Sequence, residues 1–241
     1  MALFTDGPIS NIDDLTAVDS QLLDVASTEG LDVTRKLGTA QEEIQIELEG
    51  LIDRWRIQQV VVTPSLRVYH TYRTLEMCYA DAYNSQLNDR YSGKRDQFHR
   101  KAKWAYDKLL QSGIGIAADP VPRASSPQVT AMPGSLPDGT YYVTTAWLNA
   151  SGEEGEAAVP ATIDTVSSSV MVSPGTPPRN AQGWNVYMGA APGAMTLQNE
   201  TAIATTAAWL QPGAILPGGR RAGMGQSATY VQAVPRVLRR G

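Results

Sequence analysis

The sequence predicts an α + β chain in separate domains: an N-terminal four-helix bundle followed by a C-terminal β-sandwich and an extended tail. Three observations predict it. Residues 1–112 hold 30 of the 44 Asp, Glu, Lys and Arg residues but only 2 of the 15 prolines and 5 of the 21 glycines. Residues 113–241 hold the other 14 charges, 13 prolines and 16 glycines, set around short Thr, Val and Tyr runs. Apolar residues recur every three or four positions in the first part and lie in short turn-bounded runs in the second. The boundaries that follow are 1–116 for the helical domain, 117–137 for a Pro-rich linker, 138–223 for the sandwich and 224–241 for a C-terminal arm.

Ser10-Asn11-Ile12-Asp13 has the capping-box form and opens the first helix, which carries Leu15, Val18, Leu22 and Val25 and stops at Gly30. Asp32 caps the second, whose stripe runs Val33, Leu37, Ala40, Ile44, Leu48, Leu51 and Trp55 in steps of three and four. Thr63-Pro64 starts the third, an N-cap followed by proline at the first helical position, with Val68, Tyr72, Leu75, Tyr79, Tyr83 and Leu87 in register. The fourth follows Tyr91-Ser92-Gly93, places Phe98, Ala102, Ala105 and Leu109 on one side, and ends at Gly113. Short connections between such helices favour a bundle.

Pro120, Pro122, Pro127, Pro133 and Pro137 mark an extended, semi-rigid linker. Asp138-Gly139 then opens a strand over Thr140–Leu148, and a turn at 149–155 leads into Glu156–Ile163 as in a hairpin. Further strands begin at Ser169-Val170-Met171-Val172, run through Trp184–Met188, and lie within Thr201–Trp209. About seven short strands at turn-rich spacing indicate a sandwich. Trp147, Trp184 and Trp209 suit bulky core positions better than an aromatic platform for sugar rings.

The net charge of −4 hides an asymmetry. Residues 1–53 carry 12 acidic and 2 basic side chains, a balance of −10, while residues 54–112 carry 11 basic and 5 acidic, a balance of +6. Two arrangements use this split: acidic and basic helices paired within one bundle, or copies docked through opposite faces in a ring. Glu42, Glu43, Glu47 and Glu49 form the candidate acidic face, turned either to the lumen of such a ring or to a basic neighbouring copy. The basic fourth helix, with Lys94, Arg95, Arg100, Lys101, Lys103 and Lys108, bears charges all round and so reads poorly as a base-reading helix.

No catalytic, cofactor-binding or metal-ligating set emerges. Asp13/Asp14 and Glu42/Glu43 are adjacent pairs that diverge on a helix. His70 and His99 lie on separate helices without ligand spacing, and no phosphate loop, nucleophile elbow or HExxH is present. Cys78 is the single cysteine, which precludes an intramolecular disulfide and fits a reducing compartment. No secretory signal and no membrane span are expected, since Met1–Asp6 lacks a basic and apolar leader and no apolar run is long enough.

Leu22-Leu23-Asp24-Val25-Ala26, Glu29-Gly30-Leu31-Asp32, Lys36-Leu37, Ala40-Gln41-Glu42-Glu43-Ile44, Asp81-Ala82-Tyr83-Asn84, Leu87-Asn88-Asp89-Arg90-Tyr91 and Gly93-Lys94 form an ordered series. Over roughly residues 10–116 it resembles the helical head-to-tail connector (adaptor, neck) proteins of tailed bacteriophages. The resemblance implies a non-enzymatic virion protein, assembled in the host cytoplasm as a dodecameric homo-oligomer. Such a ring lies beneath the portal protein and above a tail or nozzle protein, and DNA passes through its channel without sequence recognition.

Gly139-Thr140-Tyr141-Tyr142-Val143, Asn149-Ala150-Ser151-Gly152-Glu153 and Gly183-Trp184-Asn185-Val186-Tyr187 resemble a fibronectin type III or immunoglobulin-like module, although the Tyr-rich strand comes earlier than in ordinary members. In the resembled connectors a C-terminal extension reaches the portal, which assigns that contact to Tyr230, Val231, Val234, Arg236, Arg239 and Arg240. The alternative function is a sugar- or surface-binding decoration or tail protein acting through the sandwich. A third is a small DNA-binding regulator using the basic helix.

Overall fold

The computed structural model describes residues 1–86, 89–223 and 225–232. Helices and antiparallel strands make it an α+β protein. The chain divides into two compact units, one of Gly7–Ile116 with the stretch from Ala228, the other of Met1–Asp6 with Ala117–Ser227.

In the first unit, Asn11 rather than Ser10 caps the first helix. Its side chain accepts from the Asp14 amide and the Asp14 carboxylate accepts from the Asn11 amide, both at 2.9 Å. The helix expected from residue 10 to residue 30 is two: α1 (Ile12–Val18) and α2 (Leu22–Glu29). Asp19 is the cause. It leaves the helical backbone at φ −141° and turns its carboxylate inward, where it accepts from the Gln21 amide, the Tyr79 hydroxyl and the Lys94 ammonium. Gly30 stops α2 in the left-handed conformation that glycine tolerates best.

Asp32 caps α3 (Val33–Leu51), and Val33, Leu37, Ala40, Ile44 and Leu48 are buried. The stripe does not reach Trp55: the backbone extends at Ile52, which is buried, and Trp55 stands exposed in a 3-10 turn over Arg54–Gln59. Thr63 caps α4 (Pro64–Gln86), and α5 (Ser92–Ser112) ends at Gly113 with φ +86°. The core joins Leu15, Leu22, Leu37, Leu75, Tyr79 and Phe98, the last two rings stacked 5.4 Å apart. Burying such side chains is the main stabilising term, about 1.5–3 kcal/mol for each large apolar one.

The helical unit also holds two short paired strands. β1 (Ile114–Ile116) is fully buried and pairs on one side with Val60 and Val61 and on the other with β9 (Thr229–Val231). A Cβ at Gly115 would meet Thr63 Cγ2 at 2.6 Å and Val61 Cγ2 at 2.9 Å, so the close packing here requires glycine. The 224–241 arm is therefore corrected at its start. Gln226 is buried in the second unit, where it exchanges hydrogen bonds with the Val121 amide (2.7 Å) and carbonyl (2.9 Å), and residues 229–231 form a strand.

The second unit holds two antiparallel sheets. One has the order β2 (Gln128–Leu136), β5 (Ser168–Ser173), β8 (Trp209–Leu210); the other has β4 (Ala161–Thr165), β3 (Gly139–Leu148), β6 (Gly183–Gly189), β7 (Thr196–Leu197). Residues 117–137, expected as a linker, instead contain β2 and contribute buried Val121, Ala124 and Leu136 to the core. Proline misled the reading because β2 is an edge strand, where Pro133 sits at a register shift and costs no ladder bond to a second neighbour. Both sheets supply one core, with Val170 and Val172 from the first and Val143, Trp147, Trp184, Val186 and Met188 from the second.

Candidate interaction surfaces

The four glutamates of the expected acidic face are not equivalent. At 100° per residue, Glu43 and Glu47 point together and Glu42 and Glu49 point elsewhere. Glu43 is bound by Arg73 of α4 through Nε (3.0 Å) and Nη2 (2.6 Å), and Glu47 accepts from the Tyr69 hydroxyl at 2.7 Å. Those two fasten α3 to α4. Glu49 takes Arg54 Nε at 2.8 Å and Gln45 Nε2 at 2.9 Å, whereas Glu42 is exposed and makes no ion pair among the described residues.

The basic helix divides likewise. Lys94 bonds Asp19 at 2.7 Å, Lys101 lies 5.3 Å from the Tyr72 ring centre, and Arg95 lies 4.2 Å from that of Tyr83. Burial alone raises a carboxyl pKa, but the bonds from Lys94, Tyr79 and Gln21 outweigh it and hold Asp19 below the ordinary carboxylate value. Arg100, Lys103 and Lys108 remain exposed and form no ion pair among the described residues. Lys36 pairs with Asp81, and His99 Nδ1 lies 2.7 Å from Glu76.

Ser10, His70 and Cys78 are buried. Ser10 Oγ lies 2.6 Å from His70 Nδ1, and His70 Nε2 lies 3.1 Å from the Leu37 carbonyl oxygen. A carbonyl only accepts, so Nε2 carries the proton and Nδ1 accepts from the serine hydroxyl. This polarity suits a nucleophile–base pair, yet His70 is fully buried and Ser10 nearly so. The dyad pins the chain before α1 to α4 and reaches no substrate. Burial pushes the Cys78 thiol up to about 12, where it is not a nucleophile at neutral pH.

A polar cluster that sequence reasoning missed fills the reverse side of β6. Glu154, with its side chain 2% exposed, accepts from Asn185, from the Tyr187 hydroxyl, and bidentately from Arg220 at 2.7 and 2.8 Å. Asn199 extends it by donating to Asn185 Oδ1 at 2.7 Å and accepting from the Val186 amide at 2.8 Å. Burial, and next the Glu154 carboxylate, push the Tyr187 phenol up. The only available signal was alternation: Asn185 and Tyr187 interleave with Trp184, Val186 and Met188, so a strand buried on both faces needs polar partners on one.

Solvent meets apolar side chains in several places on the helical unit. Ile46 on α3 is 71% exposed and Trp55 is 68% exposed. On the α4–α5 side, Pro64, Ser65, Val68, Trp104, Ala105 and Lys108 line a recess of about 220 Å³. In the second unit Trp147 and Trp184 are buried, so they cannot serve a sugar ring, while half-buried Trp209 lines a cleft of about 550 Å³ with Gln198, Asn199, Glu200 and Thr201. Tyr230 and Val231 pair with Gly115 and Ile114, and Val234, Arg236, Arg239 and Arg240 lie outside the described residues.

Among the described residues no three His, Cys, Asp or Glu side chains converge to hold a metal, and no helix is long and apolar enough to cross a membrane. No family model matches the chain, and comparison with curated proteins found no match.

Proposed function

We propose that this chain is a structural virion protein, a head-to-tail adaptor that assembles as a ring beneath the portal of a tailed bacteriophage and extends its DNA channel. The observation that carries the reading is the exposure of large apolar side chains on the helical unit, Ile46, Trp55, Val68 and Trp104, while the Ser10–His70 pair and Cys78 are buried. Exposed apolar patches with polar rims favour protein contact. The finer fold belongs to the same reading: α1 and α2 act as one bent helix beside α3, α4 and α5 in a four-helix bundle, and the two sheets pack as a fibronectin-like β-sandwich around their common core.

In this reading the portal is bound by the chain end from β9 onward, with Arg236, Arg239 and Arg240 pairing with carboxylates of the portal ring. Glu42 contributes to contacts between subunits. Native mass measurement of the full chain tests the proposal: a closed ring, expected as a dodecamer, agrees with it, and a chain that stays monomeric at every concentration refutes it. The cleft beside Trp209 favours the second reading, a glycan-binding decoration protein, because a half-buried tryptophan with amide and hydroxyl neighbours suits a sugar ring. Retention on immobilised glycans, abolished by Trp209→Ala, is the result that would select it.

A further inference from the structure

Helix α3 carries two glycines that nothing among the described residues explains. A Cβ at Gly38 or Gly50 would meet no atom within 4 Å, and neither has a positive φ, so alanine fits at both. Glycine weakens a helix relative to alanine, which makes two open glycines in one helix a cost without an internal return. Gly38, Glu42, Ile46 and Gly50 follow at intervals of four and make one row along the helix. The row presents a 71%-exposed isoleucine between two positions bare of side chain, with the unpaired Glu42 carboxylate beside it. That is a surface shaped for the close approach of another backbone.

A complementary surface lies on the same unit. Val68 (38% exposed) and Trp104 (53% exposed) line the recess between the start of α4 and α5. Lys108 lines it, exposed Arg100 and Lys108 each stand four residues from Trp104 on α5, and neither forms an ion pair among the described residues. Lys108 on the lining and Arg100 one turn from Trp104 give this apolar recess a basic side, which suits an acidic, apolar ridge.

We propose that the Gly38–Gly50 row of α3 in one copy docks in the Val68–Trp104 recess of a second copy, with Ile46 entering the recess and Glu42 facing its basic side. The inference rests on the ring reading above and names the surfaces that build the ring. Because the two surfaces differ, the contact is heterologous, and each subunit offers one of each kind, as a ring requires. Ile46 supplies the desolvated anchor, and the charges fix its register.

Sedimentation of the full chain over a concentration series tests this with Ile46→Lys and Trp104→Gln, both at exposed positions, with circular dichroism as the check on folding. Each variant alone should need a concentration roughly tenfold or more above wild type to assemble. Mixed, they should form one-to-one dimers that grow no further, because the first retains an intact recess and the second an intact row. A wild-type ring whose assembly both variants preserve overturns this inference and leaves the ring reading standing. Two defective variants that give no dimer on mixing also overturn it. A wild-type chain that stays monomeric overturns the ring reading and this inference together.

Discussion

Replacing Arg220 by alanine should unfold the β unit first. The guanidinium makes two bonds of 2.7 and 2.8 Å to a carboxylate whose side chain is 2% exposed, so its removal leaves a buried charge short of half its donors. Breaking a fully buried pair costs about 3–5 kcal/mol. Here Asn185 and Tyr187 still donate to Glu154, and the Arg220 side chain is 42% exposed, so water reaches the vacated volume. The expected loss is therefore at the lower end, about 2–3 kcal/mol. For a unit of about a hundred residues that lowers Tm by roughly 10–20 °C. Arg220→Lys keeps the charge but loses the fork and should fall between. Urea unfolding followed by tryptophan emission reads the effect through buried Trp147 and Trp184, while far-ultraviolet dichroism reads the helices. An Arg220→Ala midpoint within about 0.5 kcal/mol of wild type would show that the Glu154 cluster is a solvated surface pair and refute the reasoning.

Two other outcomes follow from the helical unit. Burial lowers the His70 pKa, so the folded state favours the neutral ring, and its stabilising contribution is intact above the ordinary histidine value of about 6.5 and declines as pH falls below it. The urea midpoint of the helical signal should drop between pH 7.5 and pH 5, and His70→Gln should flatten that drop; equal slopes in the two proteins would contradict the assignment. Truncation separates the two parts of the tail: ending the chain after residue 232 should leave the midpoint unchanged, while ending it after residue 227 removes β9, uncovers the β1 edge and should lower the midpoint by about 1–3 kcal/mol. Identical stability in both truncations would show that β9 contributes nothing to the unit.

Helices were legible where spacing and caps agreed. Gly30, Asp32, Thr63-Pro64 and Gly113 punctuate the chain where the structure starts or stops its helices, because caps act through local hydrogen bonds. Asp19 was not legible as a break, since its role depends on Tyr79 and Lys94, 60 and 75 residues away. The same holds for β2 and β1. A strand of three residues carries no period, and a proline-rich stretch looks like linker until its partner makes it an edge. The acidic face was visible as charge but not as direction: Glu43 and Glu47 turn toward α4, and only the backbone separates them from Glu42. The Glu154–Arg220 pair spans 66 residues and left no local trace.

The chain changes unit at Asp6/Gly7, at Ile116/Ala117 and at Ser227/Ala228. Synthesis runs from the N-terminus, so β1 leaves the ribosome long before the strand that covers it. At about 5–20 residues per second, the interval between them lasts on the order of ten seconds. Throughout that time the helical unit stands with one open strand edge, able to accept any extended segment nearby. The last described strand to be made thus works as a closing clasp, and nascent chains crowded on one messenger would be most prone to trade strands at this position.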